Sequence, residues 1–282
     1  MIAVMEFMLL TGERRVTCMN YGWVADHPGA AAHSVPQLVG EERFCFQMYD
    51  AVIRAAIHGS FDSWVQEGVG TSEGGLLEGL TLAEVGCGRG GGARFLHAHH
   101  RPSQLTAMDA SIAQLSIAES TRPEAGTGAC LEGLSFVRAS FGQRLPLTNG
   151  SVDVLISVEA MHNDPRSWPA FYEEAARVLR PGGAFAFADF RWALHLDPTP
   201  AEVPIPTSLS VETRVDITQG MLRATHRNAF WQSLHRSLPT WVLASAWARE
   251  CLETLLCVPG GTRHDAFRLG TMRYVLEVYR KA

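Results

Sequence analysis

The 282-residue chain is 46% hydrophobic and 19% charged, with a formal net charge of −5. At about 150 residues per domain this allows one large domain or two small ones, enough to bury a core without disulfide or metal staples. The composition is neither disordered nor collagenous, and the mild acidity offers no footprint for a phosphate backbone, so nucleic acid is not expected as a partner.

The chain starts with an apolar stretch over 1–10 that carries Glu6 and lacks a basic lead, so it reads as an amphipathic helix rather than a signal peptide. Its side chains Ile2, Val4, Met5, Met8 and Leu9 suit packing on another subunit, and a homo-oligomer is expected. No apolar run reaches the roughly 18 residues of a membrane span. Residues 41–57 form a helix with Phe44, Met48, Ala51, Val52 and Ala55 on one face, and 68–75 form a loop. From 79 to 190, short apolar runs alternate with helical patterns. The strand candidates are 80–85, 104–109, 134–138, 152–157 and 184–190. Ser111 caps one intervening helix, and a second runs from Trp168 to the Arg180-Pro181-Gly182-Gly183 stop. Continuous apolar strands separated by helices predict a parallel sheet covered on both faces. After a proline-rich break come a strand at 211–216, helices over 219–235 and 239–257, and a last strand at 271–279. The expected division is a helical arm and lid over 1–78, a core over 79–190, and a helical cap with final strands over 191–282.

Two residue types narrow the chemistry. The only lysine is Lys281, which removes a P-loop lysine and a Schiff-base lysine together. The six cysteines are scattered without a C-x-x-C pair, as reduced thiols in a cytoplasmic protein would be. His97, His99 and His100 have metal-like spacing, but they end a helix, and no metal site is expected.

The segment Glu84-Val85-Gly86-Cys87-Gly88-Arg89-Gly90 follows the first strand. Its glycines let backbone approach a ligand closely, and the next helix offers unpaired N–H groups. Asp109 ends the second strand, where a carboxylate can accept ribose hydroxyls. These features alone fit a dinucleotide site equally well. Glu84, however, would repel a pyrophosphate and tolerate a cationic amino-acid cofactor. Ser140-Phe141-Gly142-Gln143-Arg144-Leu145-Pro146 and Arg180-Pro181-Gly182-Gly183 complete an ordered series that resembles the class I S-adenosylmethionine-dependent methyltransferases. Met19-Asn20-Tyr21-Gly22-Trp23 and Glu159-Ala160-Met161-His162 extend the resemblance to the small-molecule, sterol-C-methyltransferase-like group and to teleocidin-type prenyl C-methyltransferases.

The resemblance implies an α/β fold: a seven-stranded, mostly parallel Rossmann-like sheet with helices on both faces and a helical cap. It implies S-adenosylmethionine as cofactor. Glu84, Gly86, Cys87, Gly88 and Gly90 would surround its methionine part and Asp109 its ribose. Ala110, Gln114, Ser140 and Phe141 would lie near the adenine, with Glu159 contacting the cofactor as well. His162 and Glu159 are the expected catalytic groups, with Tyr21 as part of a lid. Tyr21, Phe190 and Trp231 are expected against a small hydrophobic substrate. The expected reaction is C-methylation of a prenyl or terpenoid alkene through a carbocation that can cyclise, with O-methylation of a natural-product hydroxyl as the alternative. A non-methylating binding or cyclase module on the same fold is a second alternative.

Overall fold

The computed structural model describes residues 17–24, 42–59, 75–121, 132–192, 204–228 and 257–282. The apolar arm at 1–10, Trp231, the helix expected over 239–257 except Cys257, and much of the expected cap lie outside these residues. Described elements are α1 (Arg43–His58), β1 (Thr81–Val85), α2 (Gly91–His100), β2 (Gln104–Asp109), α3 (Ile112–Ser120), β3 (Leu134–Arg138) and β4 (Val152–Val158). Short 3-10 turns at Met161–Asn163 and Pro165–Ser167 lead into α4 (Trp168–Val178) and β5 (Leu179–Trp192). The chain then forms β6 (Leu209–Asp216), α5 (Thr218–Arg227), α6 (Thr262–Arg268) and β7 (Met272–Lys281).

One seven-stranded sheet runs in the order β3-β2-β1-β4-β5-β7-β6. Only β7 runs against the others, pairing antiparallel with β5 and with β6. Strand order reverses between β1 and β4, which both pair in parallel. In open α/β sheets such a switch point leaves a crevice outside the carboxyl ends of the strands, and ligands bind there.

Side-chain alternation divides the interior into two cores. Val154, Ile156, Ala184 and Ala186 face the side covered by Met48 and Val52 of α1 and Leu96 of α2. Leu155, Phe185 and Phe187 face Phe171, Ala175 and Val178 of α4. Both faces of the central strands are therefore dry, which explains their unbroken apolar runs.

Two boundaries differ from the sequence expectation. The Arg180-Pro181-Gly182-Gly183 segment ends the helix as predicted, yet β5 already starts at Leu179, opposite Val152. The pairing shifts and resumes at Val154–Ala184, so the Pro-Gly turn bulges out of a strand that continues on either side. The helix expected over 219–235 is described only as Thr218–Arg227. Among the described residues no helix is long and apolar enough to cross a membrane.

Candidate active site

The turn after β1 sits at the switch point. The N–H groups of Gly86 and Cys87 both donate to the Met108 carbonyl, at 2.7 and 2.9 Å, fastening the turn to β2. Gly86 has φ of 87°, and a Cβ there would lie 2.1 Å from the Ala160 Cβ. Only glycine lets the β1 turn touch the segment that follows β4 this closely.

Glu84 is fully buried beneath this turn. Its Oε1 accepts a hydrogen bond from the Tyr49 hydroxyl at 2.7 Å, while Oε2 has no hydrogen-bond partner among the described residues. Burial, reinforced by the nearby Asp109 charge and partly offset by the Tyr49 bond, pushes its pKa up to about 7. A buried carboxyl with an unpartnered oxygen fits a cationic ligand group, whose charge would offset the desolvation.

Asp109 is aimed at the same turn. Its Oδ2 accepts from the Gly88 N–H and its Oδ1 from the Ser111 N–H, both at 2.8 Å. Burial raises its pKa, and these backbone donors work against that rise. Ala110 is exposed and Ser140 is half-buried beside it in the loop after β3. Phe141 is buried, edge-on to Phe171 at 4.8 Å, with its ring tip near Gly86. Gln114 and Gly90 both pack against protein in this structure. Gln114 is buried, its Oε1 accepting from the guanidinium of the fully buried Arg89 at 3.2 Å. Gly90 caps α2, and a Cβ there would meet the Phe136 ring at 2.7 Å. Cys87 is buried, and burial holds its thiol well above the usual range, so it is a neutral wall.

Residues 17–24 cross above the turn. Glu42 takes hydrogen bonds from the Thr17 and Cys18 N–H groups at 2.6 and 2.7 Å, and Gly91 N–H donates to the Thr17 carbonyl. The Met19 methyl packs over Gly88. The Tyr21 N–H donates to Glu159 Oε1 at 2.6 Å.

Glu159 follows β4 directly, with φ of 48°, a left-handed conformation costly for a non-glycine residue. The kink turns its carboxyl toward Tyr21 and toward the Tyr274 hydroxyl, which donates at 2.8 Å. Burial raises its pKa to about 7 against these donors and the nearby His162. Three residues on, His162 Nδ1 lies 2.7 Å from Asp189 Oδ1, and the His162 N–H donates to Oδ2 at 3.0 Å. The imidazole rests on Phe190 with ring centroids 4.1 Å apart. Tyr21 stacks on the same ring at 5.9 Å and is itself buried, with Phe267 and Tyr274 around it. The Tyr21 backbone thus belongs to the covering segment, while its ring is a packed wall of the cleft.

The fold therefore gathers two groups of expected residues. Glu84, Gly86, Gly88 and Asp109 lie at the β1–β2 end, and Tyr21, Glu159, His162 and Phe190 at the β4–β5 end. Asp189, Tyr49, Tyr274 and Arg263 were not singled out from sequence. The signal for Asp189 was present: it is the one charged residue in the run Ala184-Phe185-Ala186-Phe187-Ala188-Asp189-Phe190. The three histidines of α2 part company, with His97 on the Glu132 carbonyl, His99 on the Phe95 carbonyl and His100 against Asp50. Among the described residues no three His, Cys, Asp or Glu side chains are disposed to hold a metal ion.

Comparison with known proteins agrees with this geometry. A methyltransferase-domain family matches residues 82–183. A probable phthiotriol/phenolphthiotriol dimycocerosates methyltransferase 2 of Mycobacterium ulcerans is 42% identical over 115 residues, 41% of each chain. A fatty-acid O-methyltransferase of Mycolicibacterium smegmatis is 31% identical over 178 residues, covering 62% of this chain and 53% of that protein. The chain thus spans about two-fifths to a little over half the length of these relatives. Among solved structures, a geranyl diphosphate methyltransferase in complex with SAM aligns over 95% of this chain and all of its own, with a TM-score of 0.57 at 18% identity. Residues 82–183 match a methyltransferase-domain family, and the sheet that holds them shares its fold with that geranyl diphosphate methyltransferase structure.

Proposed function

We propose that the protein is an S-adenosylmethionine-dependent methyltransferase that methylates a hydroxyl of a small lipophilic natural product. The observation that carries this reading is the closeness of two devices. The His162–Asp189 pair stands just beyond Ala160, and Ala160 abuts Gly86 of the turn where Glu84 waits without a counter-charge.

The cofactor, when bound, supplies an electrophilic sulfonium methyl group. Glu84 would pair with its ammonium and Asp109 would accept hydrogen bonds from its ribose, with Phe141 walling the turn. His162 would take the hydroxyl proton from the acceptor. With Nδ1 on Asp189, that transfer runs through Nε2, and Asp189 would stabilise the imidazolium that results. Met19 and the rest of the 17–24 segment would keep water from the transferring methyl.

C-methylation of a prenyl alkene is the second reading. The rings of Tyr21, Phe190, Phe267 and Tyr274 beside His162 support it, because aromatic faces stabilise a carbocation and His162 could remove the final proton. Against it, the Arg263 guanidinium already covers Phe190, 4.7 Å from the ring centroid. The lipid acceptor named for the fatty-acid relative favours oxygen.

The test is incubation of the protein with methyl-deuterated cofactor and a lipid extract of the source organism. The expected product gains one labelled methyl on oxygen, located by NMR. A methyl on carbon would establish the second reading. Failure of the folded protein to bind the cofactor by calorimetry would leave only a binding or cyclase module.

A further inference from the structure

Arg263 lies on the short helix α6, which packs against β7 at the rim of the cleft. Its guanidinium sits over Phe190 and donates to the Tyr21 hydroxyl at 3.0 Å. Both rings border the candidate base: Phe190 carries the His162 imidazole on its surface, and Tyr21 stacks on Phe190. Arg263 is half-buried, yet no described carboxylate lies within 4.0 Å of it. The nearby Glu159 makes no ion pair with it; the Oε1 of that carboxyl accepts from the Tyr21 N–H and the Tyr274 hydroxyl. The other group close by, Cys257, is a buried thiol held neutral, with burial pushing its pKa up to about 12. Other arginines of the sheet edge are paired: Arg214 with Glu277, Arg273 with Asp216 and Arg280 with Glu212.

Among the described residues this partly desolvated cation is held by a ring face and a phenol, which leaves most of its donors for something else. We infer that Arg263 anchors an oxyanion of the acceptor, so that the substrate is an anionic amphiphile bearing a carboxylate or a phosphate ester. The inference rests on the methyltransferase reading of this cleft and narrows its substrate class. The planar fork of an arginine matches both oxyanions bidentately, and the aromatic wall beneath takes the apolar chain. Arg263 and His162 both border the Phe190 ring, and an anchored oxyanion has no proton for His162 to take, so the methylated hydroxyl is a second group of the acceptor.

The experiment measures binding of decanoate, decyl phosphate and decanol, each below its micellar concentration, to the protein saturated with S-adenosylhomocysteine. Wild type is expected to bind one of the two anions at least about tenfold more tightly than decanol, in line with a charge-assisted hydrogen bond. The preferred anion tells carboxylate from phosphate. Arg263→Gln should erase the preference while leaving S-adenosylhomocysteine affinity within twofold, and Arg263→Lys should retain part of it. Equal binding of anions and alcohol by wild type, binding of none of the three, or a preference that survives in Arg263→Gln would each overturn the inference. Loss of S-adenosylhomocysteine binding by wild type would instead sink the methyltransferase reading beneath it.

Discussion

Asp189 grips His162 twice, through the ring Nδ1 at 2.7 Å and through the backbone N–H at 3.0 Å, while its Oδ1 also accepts from the Phe190 N–H. The grip fixes both ring orientation and tautomer. His162→Ala is therefore expected to lower turnover by about 100- to 10,000-fold, the range of a lost general base. Asp189→Asn should lower it by on the order of 100-fold, because an amide can hold the ring in the wrong tautomer. Cofactor affinity should stay within a factor of two in both, as read by calorimetry. Turnover of His162→Ala close to wild type would leave the pair a structural clamp.

Glu84 makes cofactor binding sensitive to pH. Its free-state pKa of about 7 means that half of the molecules must shed a proton at neutrality before pairing with an ammonium. Affinity should weaken about fivefold from pH 7 to pH 6, since each unit below the pKa approaches a tenfold loss of the ionised form. Glu84→Gln should bind weakly and without this slope. The ligand-free protein should behave oppositely in stability. A carboxyl whose folded pKa is raised stabilises the fold most below its ordinary value near 4.5 and progressively less as pH rises toward 7. Glu159, raised to a similar value, adds to that trend, so the Glu84→Gln comparison is needed to isolate one group.

Asp109→Ala should weaken S-adenosylmethionine binding by about 1–3 kcal/mol, because a charged acceptor of two hydroxyls disappears. The same carboxylate fastens Gly88 and Ser111 through their N–H groups, so the turn itself loses a tie. Asp109→Asn is the control: it keeps one acceptor for the turn and loses the charge. Unchanged affinity in a folded Asp109→Ala protein would place the ribose elsewhere.

Much of the sheet was readable before any coordinates, because its strands are short apolar runs bounded by glycine, proline and polar turns. The strands 104–109 and 134–138 fall where the pattern puts them. The bulge within β5 was not readable, since Pro-Gly-Gly looks like a stop unless the neighbouring strand is known to re-engage at Ala184. Site residues followed the same division. Glu84 and Asp109 stand at the carboxyl ends of β1 and β2 and His162 in the turn just after β4, where position in the chain gives position in space. Tyr274 reaches Glu159 from 115 residues away, and Arg263 reaches Tyr21 from 242. Contacts of that separation are set by the order of β5, β7 and the elements packed on them, which no local pattern encodes.

Tyr49 holds Glu84, and Gly92 makes room for Tyr49. A Cβ at Gly92 would lie 1.9 Å from the Tyr49 Cζ, far inside carbon–carbon contact distance. Tyr49 is buried in α1 with its hydroxyl on Glu84 Oε1, so it cannot swing out to relieve the clash. Gly92→Ala should thus destabilise the protein by about 1–3 kcal/mol through overpacking, although alanine favours helix at an ordinary position. Tyr49→Phe separates the two roles. It keeps the ring, removes the donor, and lets the Glu84 pKa climb further, because the Tyr49 bond is what lowers it. Melting by calorimetry should show Gly92→Ala well below wild type. Tyr49→Phe should show its main loss in cofactor affinity at pH 7, a loss that shrinks as pH is raised to 8. An affinity loss in Tyr49→Phe that does not change with pH would mean that Tyr49 only packs, and that Glu84 is oriented by something else.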